Sequence, residues 1–323
     1  MFAKALCLPF LPRAPFAMPA SARSTAPFPP DTYSADRFVL DCRGQPLDCR
    51  PGRAGGAHVM GVLNATPDSF SDGGQFLAVE DAVSRAAEML SAGASIIDIG
   101  GESTRPGADP VSAKVEQDRV LPVVEALVDR FPEAILSVDT YKPAVAEAAL
   151  DAGAHIVNDV TGLRHHPEMA EVAAAAGAPL VVMHSAGAPG DLTSPREYAD
   201  VTAEVRDALA RAIDTATEAG VNALVIDPGF GFGKTHTQNL RLINEIDELL
   251  TLDRPLLMGV SRKSTIGATL GTPDAPAPTE DRLFGSLGAT AVGVMRGATL
   301  VRTHDVAATV DMLTVLSATL HAS

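Results

Sequence analysis

From His58 onward the chain repeats one unit eight times: a short apolar run, a polar loop, then a longer stretch with helical spacing. The strand-like runs are HVMGVLNA (58–65), SIIDIG (95–100), ILSVDT (135–140), HIVNDV (155–160), PLVVMH (179–184), ALVIDPG (223–229), PLLMGV (255–260) and TLVRTHD (299–305). They are continuously apolar rather than alternating, as expected of parallel strands covered on both faces. Helical spacing occupies 78–90, 115–131, 142–152, 167–176, 238–250 and 306–320. Gly93, Gly153, Gly177, Gly220 and Gly297 stand where a helix C-terminus takes a positive φ. Eight such units predict an α/β fold of the (β/α)8 TIM barrel type. An open doubly wound sheet is the alternative. It would carry a Gly-rich nucleotide turn after its first strand, and NATPDSFSDGG is not one.

Ahead of the barrel, FVLDCRGQPLDCR (38–50) reads as a β-hairpin turning at Arg43-Gly44, placed to cover the barrel's bottom. Residues 1–35 are Pro/Ala-rich, with Lys4, Arg13 and Arg23 but no acid before Asp31. They read as a disordered tail or an over-extended start, with a signal or transit peptide as the targeting alternatives. Residues 36–323 then form a single catalytic domain, hairpin included. The length suits that reading. A net charge of −15 argues against nucleic acid or an anionic membrane as partner, and no apolar run reaches membrane-spanning length.

Three cysteines, Cys7, Cys42 and Cys49, make no disulfide framework. Two unpaired apolar thiols are the reading for Cys42 and Cys49, with a bridge between them as the alternative. The compartment is read as reducing, the cytoplasm, so the sequon Asn64-Ala65-Thr66 is a coincidence.

In a barrel of this kind the reaction site lies at the C-terminal ends of the strands. Those ends carry Asn64, Gly-Gly-Glu after Asp98, Asp139, Asn158-Asp159, His184, Asp227, Ser261-Arg262-Lys263 and Arg302-Thr303-His304. Polar residues closing eight apolar runs are expected to converge on one cavity. Asp139, Asn158, Asp227 and Lys263 suit the edge of a flat, nitrogen-rich heterocycle, where ring N–H groups meet carboxylates. Asn64, Thr104, Arg105, Arg302 and His304 form an anion-binding set, in which the charge of Arg302 should outweigh the dipole of the last helix. GFGFGKT (229–235) imitates a phosphate loop, but Pro228 occupies its first Gly position and has no N–H to offer. It reads as a pliable turn with Phe232 available to line a pocket. Lys263 in Ser-Arg-Lys-Ser suits a hydrogen-bonding role better than a Schiff base.

Seven motifs in order, LNATPDSFSDGG, GGESTRPGA, SVDT, NDV, DPGFGFGK, SRKS and RTHDV, resemble the dihydropteroate synthase family from about His58 to the C-terminus. The resemblance implies a barrel transferase of folate synthesis, joining p-aminobenzoate to 7,8-dihydropterin-6-ylmethyl diphosphate with Mg2+. It implies that Asp139, Asn158, Asp227 and Lys263 hold the pterin, with Met183 packing on it. Asn64, Arg302 and His304 would hold the diphosphate, Asn64 also meeting the Mg2+. Asp139, Lys263 and Arg302 would carry the catalysis. Thr104, Arg105 and Pro106 would close over p-aminobenzoate with the loop after Asn64, while Ser261 and Phe232 line its pocket. A homodimer is implied too, and GSLGATAVGVMRGA (285–298) could pack closely on a partner helix. One departure is Met183-His184-Ser185-Ala186-Gly187, where the family often has Met-His-Met-Gln-Gly; His184 reads as a packed strand-end residue. A pterin-binding methyltransferase module should not need GESTRPG or SRKS, and a non-catalytic paralogue should have lost part of the set.

Overall fold

The computed structural model describes residues 34–52, 56–65, 74–103, 109–187 and 190–322. The proposed tail up to residue 33, Cys7 within it, residues 66–73, and Thr104, Arg105 and Pro106 lie outside the described residues.

A short helix α1 (Ala35–Phe38) leads into the antiparallel hairpin of β1 (Val39–Cys42) and β2 (Gln45–Asp48). Eight barrel strands follow: β3 (His58–Asn64), β4 (Ile96–Gly100), β5 (Ile135–Asp139), β6 (Ile156–Asp159), β7 (Leu180–Met183), β8 (Leu224–Asp227), β9 (Leu257–Met258) and β10 (Leu300–Thr303). They pair in the order β8-β7-β6-β5-β4-β3-β10-β9, all in parallel. A bridge between Ile226 and Leu256 joins the two ends of that ladder. Around it stand α2 (Gly74–Ser91), α3 (Ala113–Arg130), α4 (Pro143–Asp151), α5 (Met169–Ala176), α6 (Val201–Glu218), α7 (His236–Asn244), α8 (Ser264–Leu270), α9 (Leu283–Met295) and α10 (Val306–Leu320). The architecture is the expected (β/α)8 barrel. Among the described residues no helix is long and apolar enough to cross a membrane.

The five cap glycines take φ of 97, 108, 63, 94 and 103° at Gly93, Gly153, Gly177, Gly220 and Gly297. The helix expected over 238–250 divides: α7 stops at Asn244 and a 3-10 helix runs from Ile246 to Leu252. Buried Ile246 and Leu249 are three residues apart. A helix of three residues per turn aligns them as well as an α-helix does.

Each strand alternates between two environments. Residues such as Ile97, Ile99, Leu136 and Val138 pack outward among the helices. The intervening set, Met60, Ile96, Ile135, Ile156, Val181, Val225, Leu257 and Leu300, meets inside the barrel with Leu40, Cys42, Leu47 and Cys49 of the hairpin. The hairpin therefore plugs the N-terminal end of the barrel. Its turn residue Arg43, at φ 55°, donates from Nη1 to Leu150 O at 2.7 Å and Ala154 O at 2.6 Å, tying the hairpin to the end of α4 and the segment after it. Cys42 and Cys49 are both buried, with no bridge between them. Cys42 faces Gln45 in the ladder, while Cys49 bonds Phe38, four positions away. That is about 13 Å of strand, too far for a bridge.

Candidate active site

Strand alternation sets the phase of the site. Two residues beyond each floor side chain lies the next inward position, and there the chemistry changes. Val62, Asp98, Ser137, Asn158, Met183, Asp227, Gly259 and Arg302 occupy this level. A further step toward the mouth brings Asn64, Gly100, Asp139, Ser261 and His304. An apolar floor thus carries a polar layer, and the polar layer opens at the mouth.

At its centre is Arg302. Nε donates to Asp98 Oδ2 at 2.6 Å and Nη2 to Asp139 Oδ2 at 2.5 Å. Asn158 Nδ2 donates to the same Asp98 oxygen at 3.1 Å. Asp98 is wholly buried, Asp139 and Arg302 partly open to the mouth. Burial pushes the Asp139 carboxyl up to about 7; Arg302 pulls against the rise, and Asp98, Glu116 and Asp159 add to it. Burial alone would lower Arg302, but the carboxylates of Asp98 and Asp139 more than offset this and hold it firmly charged. Asp98 Oδ1 and the Ser137 hydroxyl, opposite one another in the β4–β5 register, have no partner among the described residues.

The far wall belongs to Asp227 and Lys263. Asp227 Oδ1 accepts from Gly229 N at 2.7 Å, and its carboxyl is raised by burial, against the pull of Lys263. Lys263 Nζ donates to Phe230 O and stands 4.2 Å from the centre of the Phe232 ring. Burial lowers its amine to about 8, with Asp227 opposing. Phe232 packs with Met183, Tyr141, Val160 and Leu192 in a small apolar cluster beside these charges.

The turn over 228–235 is stitched rather than pliable. Buried Lys234 directs Nζ to Gly229 O and Phe232 O, each at 2.9 Å, and to His184 Nδ1 at 2.9 Å. It faces the loop's own carbonyls, so it is no phosphate-binding lysine. Burial lowers it to about 7, and burial plus Lys234 holds His184 down to about 3. Gly229 has φ 67° and would place a Cβ 1.8 Å from His184 O; only glycine fits there. His184 is the packed residue expected.

On the eighth strand His304 meets Ser261. The Ser261 oxygen accepts from His304 N at 3.2 Å and lies 3.2 Å from His304 Nδ1. The ring nitrogen and the hydroxyl share a hydrogen bond whose direction follows the imidazole tautomer, since a hydroxyl can accept twice or accept once and donate. Burial, with Arg302 and Arg262 nearby, lowers the imidazole to about 4. His304 is therefore neutral, not the second cation expected. Arg262, at φ 59°, is strapped to Asp305 through Nε–Oδ2 at 2.9 Å and a second bond from Nη2. The strap ties the loop after β9 to the start of α10.

Asn64 ends β3 half-buried, paired in register with Gly100, which in turn pairs with Asp139. Beside the segment 104–108, Glu102 accepts from Val111 N at 3.2 Å and Tyr141 OH at 3.0 Å, and pairs with Lys142, which also pairs with Glu116. The structure thus gathers Asp139, Asn158, Asp227, Lys263 and Arg302 around one cavity, with Met183 and Phe232 beside it and Asn64, Ser261 and His304 toward its mouth. Sequence reasoning missed Asp98 and the role of Lys234. Asp98 could have been found from the i+2 phase of SIIDIG, which sets it inward between Ile96 and Gly100.

The comparisons agree with this geometry. The family described as Pterin binding enzyme matches residues 60–304. Dihydropteroate synthase of Escherichia coli K12 is 47% identical over 267 residues, 82% of this chain and 92% of that one. The Xanthomonas albilineans dihydropteroate synthase structure with 4-aminobenzoic acid is 44% identical with a TM-score of 0.80, covering 89% of this chain and 100% of that chain. A structure of it with 7,8-dihydropteroate reaches 0.76 at 41% identity, covering 88% and 100%. Barrel and polar mouth together define a pterin-binding enzyme. The chain belongs to that family, and within it to the dihydropteroate synthases.

Proposed function

We propose that this transferase condenses 7,8-dihydropterin-6-ylmethyl diphosphate with p-aminobenzoate, giving 7,8-dihydropteroate and diphosphate. The observation that carries the reading is the Asp98–Arg302–Asp139 bridge, with Asn158, Asp227 and Lys263 around the same cavity. Buried carboxylates match the N–H edge of a pterin ring, and Lys263 supplies a donor to its carbonyl. Met183 gives the ring an apolar face, and Phe232, in the same apolar cluster, would line the p-aminobenzoate pocket. Neutral His304 and the Arg302 guanidinium would bind the diphosphate, with Asn64 beside them. Thr104, Arg105, Pro106 and Ser261 would serve p-aminobenzoate.

In this reading no side chain acts as nucleophile. Arg302 and His304 draw off the leaving diphosphate. The methylene carbon left behind carries positive charge, which ionised Asp139 stabilises. The aniline nitrogen then attacks that carbon and sheds its proton, and a closed site keeps water out. Asn64 brings one amide oxygen to the mouth, and among the described residues no three His, Cys, Asp or Glu side chains gather as a cage. That donor set fits Mg2+ arriving with the diphosphate and keeping several waters, with Asn64 holding it. Bound there, Mg2+ would offset diphosphate charge.

A cytoplasmic homodimer completes the reading. Exposed Phe284 and Val292 on α9 and Val315 on the adjoining α10 support the contact. Phe284→Asp should shift sedimentation toward the monomer; an unchanged profile places the contact elsewhere. The reaction itself is tested by supplying the pterin diphosphate, p-aminobenzoate and Mg2+ and looking for dihydropteroate and diphosphate. Absence of product would favour a non-catalytic paralogue.

A further inference from the structure

Asp98 has no surface to offer a substrate: it is 0% exposed within the polar layer. Yet two groups of the cavity depend on it. Its Oδ2 takes Arg302 Nε at 2.6 Å and Asn158 Nδ2 at 3.1 Å. Arg302 in turn reaches Asp139 with Nη2 at 2.5 Å. One guanidinium is thus divided between a sealed carboxylate and a carboxylate open to the mouth. We infer that Asp98 is a positioning residue: it anchors Arg302 by Nε, so that the ionised Asp139 is not wholly paired with Arg302 and stays available to the reacting carbon, and it turns Asn158 so that Oδ1 is left for the cavity. The inference rests on the reaction proposed above.

The physical argument has two parts. An ionised carboxylate only accepts hydrogen bonds, so the Asn158 amide must present its N–H to Asp98. With Nδ2 so engaged, the acceptor end is what a bound ring meets. The second part is competition. Without the Asp98 charge, Arg302 would turn wholly onto Asp139 and neutralise the group meant to stabilise positive charge. The groups facing Asp139 are Arg302 of β10, Asp98 of β4, Glu116 of α3 and Asp159 of β6, with Lys263 across the cavity. Removing the Asp98 charge weakens the hydrogen-bonded hold that draws Arg302 away from Asp139.

The test is Asp98→Asn, which keeps size and one acceptor; the introduced N–H can meet the unpartnered Ser137 hydroxyl opposite. We expect kcat to fall by about 10–100-fold, the range seen when a partner orienting a functional group is removed. KM for p-aminobenzoate should hardly move. The acid limb of the kcat profile should shift to lower pH, because Asp139 loses a neighbouring negative charge and gains more of Arg302. A purely structural role would lower the unfolding temperature and leave kcat and its pH limb unchanged per folded molecule; that result overturns the inference. A second measurement leaves Asp98 in place. In the unmodified protein the Arg302 Nε–H signal, identified by its loss in Arg302→Lys, should hold its shift when inorganic pyrophosphate is added, while the Nη signals move. An Nε signal that moves as far as the Nη signals also overturns it. If the wild-type protein forms no product, the proposed reaction fails, and the Arg302 signals still decide the anchoring.

Discussion

Asp139 and Arg302 are joined at 2.5 Å, and what each can do depends on the other. Asp139→Asn should therefore slow turnover by about 100-fold or more, while the affinity for a pterin analogue changes only a few-fold. Equal losses in kcat and binding would remove its role at the reacting carbon. The same carboxyl, pushed up to about 7 by burial, must ionise to act. Activity should accordingly fall as pH drops below about 7, and the asparagine variant should lose that limb. Most of these side chains were legible in the sequence because each is a polar residue ending an apolar run. Asp98 was not, since it interrupts a run instead of closing it. The charge of His304 was not legible either, because burial and the nearness of Arg262 and Arg302 exist only once the loop after β9 meets the end of β10.

Among elements, the turn between β8 and α7 shows how local patterning can mislead. Its glycines promised a pliable loop, but buried Lys234 binds Gly229 O, Phe232 O and His184 Nδ1. Lys234→Met should leave the Phe232 carbonyl and the imidazole without this donor, at roughly 1–3 kcal/mol for each buried group, while Gly229 O keeps its bond from Phe232 N. Thermal unfolding should fall by several degrees, and kcat should fall with it as Phe232 and the Phe230 carbonyl that holds Lys263 lose their support. An undisturbed unfolding temperature would show that the loop stands without the lysine. Strands were read well because apolar runs bounded by turn residues are hard to place otherwise in a chain of this length. The 238–250 segment was read less well, since one apolar spacing serves both kinds of helix.

For the molecule as a whole, the hairpin is what turns an eight-stranded ring into a vessel. Leu40, Cys42, Leu47 and Cys49 complete an apolar layer to which every barrel strand contributes. Leu40→Ala should cost about 2–5 kcal/mol by opening a cavity there, and so lower the unfolding midpoint. Turnover per folded molecule should not change, because the floor lies a full layer beneath the polar residues. A parallel loss of kcat would mean that the floor and the site move together.

A sealed floor also dictates traffic. Among the described residues the hairpin closes one end of the barrel, and whatever rests at the depth of Asn158 and Asp227 must pass the level of Ser261 and His304 to reach that depth. The deeper guest has to arrive first and, once joined to the later one, can leave only behind it. A strict queue, last in and first out, is thus built into the chain by thirteen residues at its hairpin, from Phe38 to Arg50, that never meet a substrate.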